Sequence, residues 1–406
     1  MNKKSLLGLI LSACIITAAL FAATSFLIER DNRNDILSDQ VSANDDEKIP
    51  SDNGAASFLQ EKSVTNQEEN NDHFLNASED SLKAKASNSS GNAAEAASSE
   101  TYSTSIEDNV PELIYDCDSV DYQSFIPEMV IDSQLQEKLD ITNPDIDVDA
   151  TAAILFDADT KEVIYCKNAV QAMFPASTAK LLTSLVALEW CDEEEQVTIG
   201  DEIQMIASDS TRAYLNEGEI LTIRNLLAGM LLPSGNDAAY AVAAYVGRKS
   251  LRDTKAGREA AVTEFVRLMN KKAGILGVKN SCFKTPDGYD AIGQYTTAYD
   301  MGLIGMAAAE NDLITEVSSQ DRSRNIYPSG QDVTWTNTNK LVKKYSGQYY
   351  SHAIGLKTGT STMAGRCLIA AATEGDQKAV CVILDSSAEG RWEDAILLLK
   401  YGLEHE

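Results

Sequence analysis

The stretch "FPASTAKLLTSLVALEW", Phe174 to Trp190, sets Ser177 three residues ahead of Lys180 where a loop becomes a helix. Residues three apart on a helix share a face, so the lysine amine can lie beside the serine hydroxyl. That is a nucleophile with a base within reach, the pairing that covalent catalysis needs because a serine hydroxyl attacks poorly until its proton is taken. A serine N-cap followed by a solvated lysine has the same four-residue pattern.

Two further motifs follow in order. "PSGND" carries Ser234, Gly235 and Asn236, and "GLKTGTS" carries Lys357, Thr358, Gly359 and Thr360. Taken singly each is weak: Ser234 is a turn serine after Pro233, Asn236 a helix N-cap, Lys357 an edge-strand lysine. The chain itself contains decoys. "SCFK", Ser281 to Lys284, repeats the first spacing but precedes the "TPDG" turn and reads as extended, where residues three apart face opposite ways. "SSGN" at 89–92 repeats the second motif inside a stretch with no periodicity at all. Only the other copies sit in a helix start, an inter-helix loop and a strand, in that order.

The elements that would position these residues begin near residue 151. "TAAILFDADTKEVIYCKN" alternates and turns at Asp157 to Lys161, which reads as a β-hairpin. "LTIRNLLAGMLLPSGNDAAYAVAAYVG" reads as helix, break at Pro233, loop and second helix. "EAAVTEFVRLMNKKAG" is a third helix closing near Gly274 and Gly277, and "TTAYDMGLIGMAAAEN" a fourth, capped by Thr296 or Thr297. "HAIGLKTGTSTMAGRCLIAAATEGDQKAVCVILDSS" contains β-branched apolar runs split by turns, and "RWEDAILLLKYGLEH" is a terminal helix. Strands at both ends with helices between predict an α+β fold, one antiparallel sheet built from the two ends of the region.

The chain divides by composition. Residues 1–30 hold Lys3 and Lys4, then an uncharged run from Ser5 to Ile28, long enough to span a bilayer. The favoured reading is an uncleaved membrane anchor with the lysines cytoplasmic. Cleavage near "AALFAA" and lipid attachment at Cys14 stay open. Residues 31–107 are rich in Asp, Glu, Asn, Ser and Ala and read as a disordered acidic tether, with 17 acidic and 5 basic residues between positions 31 and 110. Such a coil spans roughly 50 Å end to end. Residues 108–150 are a lead-in of ambiguous structure with a short helix at "SQLQEKLD", and 151–406 form the folded unit.

The net charge of −28 disfavours nucleic acid as a partner. Seven cysteines without close pairing predict no structural disulfide, with Cys367 and Cys381 in core strands. Three histidines, at 73, 352 and 405, make a His-based zinc site unfavoured, and neither metal nor cofactor is expected. A Ser-His-Asp triad would have to use His352, which reads better as a strand-edge residue.

The three motifs together resemble those of the serine penicillin-recognising enzymes. The stretches "PASTAKLLT", "LLPSGNDAA", "FKTPDGYD", "TTAYDM" and "GLKTGTSTMAGRCL" are similar to the low-molecular-weight D-alanyl-D-alanine carboxypeptidases over about residues 151–405. The resemblance implies a β-lactamase or penicillin-binding-protein transpeptidase-like fold, a five-stranded antiparallel sheet flanked by helices with the site between them. It implies Ser177 as the acylated nucleophile and Lys180 as its base, with a pKa lowered by burial and by the charge of Lys357. Asn236 would hold the substrate amide and Lys180, and Ser234 would relay a proton to the leaving amine. Lys357 and Thr358 would take the terminal carboxylate, Gly359 would leave room for the peptide as an added strand, and the N–H groups of Ser177 and Thr360 would form the oxyanion hole.

The implied function is a membrane-tethered, extracytoplasmic enzyme that removes the terminal D-alanine from peptidoglycan stem peptides and is acylated by β-lactams. A β-lactamase of the same fold, or a penicillin-sensing module without turnover, are the alternatives. The residues left after Gly359 are too few for the extra β-domain and C-terminal anchor of many relatives, so anchoring is expected from the N-terminus. Ser361 stands where the family has Thr, and Asp287 where many relatives have His. The glutamate of a β-lactamase Glu-x-x-x-Asn loop has its nearest counterpart in Glu264 of "EFVRLMN", which reads as a solvated helix residue.

Overall fold

In β1 (Ala152–Asp157) every residue from Ala152 to Phe156 is buried, and successive side chains enter different layers. Ile154 and Phe156 pack with the helical region, whereas Ala153 and Leu155 pack against the C-terminal helix. A strand covered on both faces needs apolar residues at every position, which is why "AAILF" does not alternate with polar ones. The computed structural model describes residues 113–114 and 122–404. The anchor and tether expected over 1–107 lie outside them.

After a short helix α1 (Ser133–Leu139) in the lead-in come β1 and its hairpin partner β2 (Val163–Lys167). Asp157 tightens the turn between them by accepting the Asp159 and Thr160 N–H groups. The helical region holds α2 (Lys180–Trp190), α3 (Ile223–Leu231), α4 (Asn236–Leu251), α5 (Arg258–Ile275), α6 (Ala298–Ala309) and α7 (Asp312–Ser318). Two small hairpins accompany them, β3 (Gln196–Thr198) with β4 (Ile220–Thr222) between α2 and α3, and β5 (Arg322–Ile326) with β6 (Asp332–Thr336) after α7. The chain closes with β7 (Ala353–Ser361), β8 (Gly365–Glu374), β9 (Gln377–Ser386) and α8 (Gly390–Glu404).

The main sheet has the order β2-β1-β9-β8-β7, with every neighbouring pair antiparallel. The fold is α+β, as the run of strands, helices and strands predicts. Joining β1 to β9 brings the two ends of the folded region together and leaves β7, the strand of the Lys-Thr-Gly motif, at an edge. Trp392, Leu398 and Leu399 of α8 cover one face, and α6 is among the helices on the other.

Most expected elements are present. The Pro233 break separates α3 from α4, Thr297 rather than Thr296 caps α6 through the Asp300 N–H, and α5 ends just before Gly277 at φ +86. Asp132 caps α1 and pairs with Lys279. Cys367 and Cys381 are buried on β8 and β9 as free thiols, pushed up to about 12 by burial. His352, half-buried at the start of β7, meets the Thr373 carbonyl and the Tyr350 ring.

Two hairpins had no expectation in the sequence, and one expectation needs correction. The stretches around 196–222 and 322–336 carry the two small hairpins, whose strands are short; in β5 the buried positions are the polar Ser323 and Asn325, so no apolar alternation marks it. Glu264 does lie within α5, but it is not solvated: its side chain is 14% exposed, held by Arg267 and by Ser250 at 2.5 Å. Burial raises its energy while the arginine beside it keeps its carboxyl below the usual range.

Candidate active site

Ser177 does not stand on an α-helix. It lies in a 3₁₀ turn, Ala176–Ala179, and α2 begins at Lys180 itself. In a 3₁₀ turn residues i and i+3 eclipse, so the tighter geometry stacks lysine on serine more directly than an α-turn would. Lys180 Nζ donates to Ser177 Oγ at 2.8 Å. The turn has no side-chain cap, which removes the N-cap reading of the motif. Ala176 enters it at φ 44, a left-handed conformation that a residue with a Cβ adopts only at a cost.

Lys180 is fully buried and its amine has four neighbours: Ser177, Asn236 Oδ1 at 2.7 Å, the Asp287 carbonyl at 3.0 Å and Ser234 Oγ at 3.5 Å. Burial disfavours the ammonium and brings its pKa down to about 8, against the pull of Asp287 and Asp237. The amine therefore exists in both charge states near neutral pH. Asn236 is oriented from its other end, where Nδ2 donates to Ser210 Oγ at 2.9 Å. Ser234 takes φ 66, and its carbonyl accepts from Thr211 Oγ1 at 2.7 Å. Asp237 accepts the Ala213 and Leu215 N–H groups at 2.8 and 3.1 Å, so one carboxylate at the start of α4 ties the whole 209–215 loop to this motif.

Lys357, Thr358 and Gly359 lie buried on edge strand β7, while Thr360 is exposed. Lys357 Nζ turns back to the Thr358 carbonyl at 2.9 Å, and Thr358 Oγ1 shares a proton with Thr338 Oγ1 at 2.7 Å. A Cβ on Gly359 would sit 3.1 Å from Ala176 Cβ and 3.2 Å from Ser177 N, so the absent side chain is what lets β7 approach the serine turn. Burial leads the lowering at both buried lysines. Lys357 is held well below its ordinary value by burial, then by the charges of Lys180 and Arg391.

All eight expected residues thus converge, from a turn, an inter-helix loop and an edge strand. The decoy does not join them: Ser281 Oγ is taken by Asp300 at 2.7 Å and Thr296 at 2.9 Å.

The sequence profile of the D-alanyl-D-alanine carboxypeptidases matches residues 138–388. The chain belongs to the D-alanyl-D-alanine carboxypeptidase family. It is 32% identical over 243 residues to D-alanyl-D-alanine carboxypeptidase DacF of Bacillus subtilis, covering 59% of this chain and 58% of that protein. It is likewise 32% identical over 268 residues to DacA of Escherichia coli, covering 63% and 61%. The match thus spans about three fifths of the length of these relatives. Among solved structures it is similar to the Streptomyces K15 DD-transpeptidase, at 31% identity and a TM-score of 0.58 over 65% of this chain and all of that one. The D-alanyl-D-alanine carboxypeptidase DacD of Francisella tularensis is similar at 26% identity and a TM-score of 0.54, covering 64% of this chain and 72% of that one.

On this family framework the structure adds residues that motif reading passed over. Ser210 sits in a polar stretch with no pattern of its own. Arg391, at the start of α8, stacks over Trp392 with 4.4 Å to the ring centroid and donates to Thr360 Oγ1 at 3.1 Å. Asp290 accepts from Ser361 Oγ at 2.7 Å and Met363 N at 3.1 Å, and burial pushes its pKa up to about 6. The one local signal for any of them was the "DGYD" segment, which carries no chemistry until it is folded against β7.

Proposed function

We propose that this chain is a serine D-alanyl-D-alanine carboxypeptidase that removes the terminal D-alanine of peptidoglycan stem peptides. The observation that carries the reading is the buried Lys180 amine within 2.8 Å of the half-buried Ser177 hydroxyl. Ser177 Oγ attacks the carbonyl carbon of the penultimate D-alanine as neutral Lys180 takes its proton. The N–H groups of Ser177 and Thr360 stabilise the oxyanion that forms. Lys180 then returns that proton through Ser234 to the departing amine, the C–N bond breaks, free D-alanine leaves and Lys180 is neutral again. Water attacks the remaining ester, with Lys180 again accepting the proton, and Ser177 is regenerated. Asn236 aligns Lys180 and receives the substrate amide.

The uncharged run Ser5–Ile28 behind Lys3 and Lys4 supports attachment to the cell membrane, with the catalytic unit on the outer side where its substrate is. β-Lactams are expected to acylate Ser177. Glu264 is committed to Arg267 and Ser250 inside α5, so it does not serve as a separate base for hydrolysing that adduct. A diacyl-Lys-D-Ala-D-Ala peptide should release D-alanine continuously. A chromogenic cephalosporin should give one burst per enzyme followed by a very slow phase. Sustained rapid cephalosporin turnover without D-alanine release would overturn the reading in favour of a β-lactamase, and a burst without D-alanine release would favour a sensor.

Lys357 and Thr358, with Arg391 behind Thr360, are assigned to the substrate's terminal carboxylate. An incoming carboxylate supplies the opposite charge that buried Lys357 lacks, so binding is expected to favour its ammonium form. Lys357→Ala should lower kcat/KM by about one to two orders of magnitude, the worth of a charge-assisted hydrogen bond. Amidating the peptide's C-terminus should cost wild type a similar factor and cost the variant little more. Equal wild-type activity on acid and amide would refute the assignment.

A further inference from the structure

The segment Asp287–Asp290, between α5 and α6, touches the first and third motifs and reaches the loop that orients the second. Its first residue accepts Lys180 Nζ on the backbone carbonyl at 3.0 Å, and just upstream the Pro286 carbonyl accepts Thr183 Oγ1 at 2.6 Å. Gly288 takes φ +81, and a Cβ there would lie 1.9 Å from the Ala176 carbonyl oxygen, so the segment is seated directly on the turn that carries Ser177. The Tyr289 hydroxyl donates to Asp209 at 2.9 Å, next to the Ser210 that orients Asn236.

Asp290 completes the set. Both its oxygens are spent on the turn that leaves β7: Oδ1 accepts Ser361 Oγ and Oδ2 accepts Met363 N. Ser361 Oγ in turn accepts the Ala364 N–H at 3.0 Å. The Asp290 carbonyl accepts Ile114 N at 2.9 Å, which ties the lead-in to the same point. A carboxylate is expensive to bury, and a turn that needed only closing could use a neutral acceptor in water. This one is buried, against the residue that follows Thr360.

We propose that Asp290 is a positioning residue for acyl transfer: by holding Ser361 and Met363 it sets the distance between the Thr360 N–H on β7 and the Ser177 turn on which Gly288 rests. The inference rests on the carboxypeptidase reading, because that reading places an oxyanion between those two groups. Hydrogen bonds to an oxyanion matter in the transition state more than in the bound substrate, so loosening the clasp should act on kcat and leave KM nearly alone.

The test uses the full chain and measures kcat and KM for D-alanine release, the rate of Ser177 labelling by penicillin, and the thermal midpoint. Asp290→Ala should lower kcat by about 10- to 100-fold with KM within about threefold, and should slow labelling by a similar factor. Adding Ser361→Ala to it should cost little more, since both act on one contact. A folded Asp290→Ala protein with kcat within about threefold of wild type, or with its loss confined to KM, overturns the proposal. Should Asp290→Ala not fold, Ser361→Ala alone carries the test: a lower kcat at unchanged KM supports the role and an unchanged kcat overturns it. If wild type releases no D-alanine, the functional reading fails, while the labelling rates of the same variants still decide the role of Asp290.

Discussion

Ser177→Ala is expected to abolish covalent labelling by penicillin and to lower D-alanine release by at least about 10⁴-fold, whereas Ser281→Ala should leave both within about twofold. The two serines share the same spacing to a lysine, so the contrast isolates what tertiary position adds. Ser177 is half-buried, 2.8 Å from an amine whose pKa lies near 8, and so has both access and a base. Ser281 is half-buried too, but its hydroxyl is held by Asp300 and Thr296 rather than by a lysine amine. Mass spectrometry of the labelled protein identifies the acylated residue. Label on any serine other than Ser177 refutes the mechanism.

Replacing the base should cost nearly as much. Lys180→Arg keeps a cation beside Ser177 but cannot give up its proton, and a loss of about 10² to 10⁴ in the acylation rate is expected. The pH dependence separates a base from a mere cation. Lys180 works as the neutral amine, so below its pKa the wild-type rate rises about tenfold per pH unit. The rise should level off above pH 8, the region to which burial has brought the amine. A cation holding the substrate would behave oppositely, losing effect as pH rises. Lys180→Arg should flatten the curve between about pH 6 and pH 9, and an unaltered profile in that variant would mean that another group takes the serine proton.

The sequence by itself determined the local elements and the identity of the reacting groups. The hairpin at Asp157–Lys161, the Pro233 break before Asn236 and the capped start of α6 follow from turn chemistry and from apolar spacing, which act between residues a few positions apart. The same local rules separated Ser177 from the extended decoy at Ser281. The sheet's assembly from both ends was legible because apolar strand runs lie only there. What tertiary structure alone decided is every contact made across a long stretch of chain. Lys180 meets Asn236 across 56 residues and the Asp287 carbonyl across 107, and Asp290 meets Ser361 across 71. No spacing rule reaches that far. The same holds for charge: that burial leads the lowering at both Lys180 and Lys357, with Arg391 arriving from α8 beside the latter, depends on a desolvation that exists only once the sheet has closed.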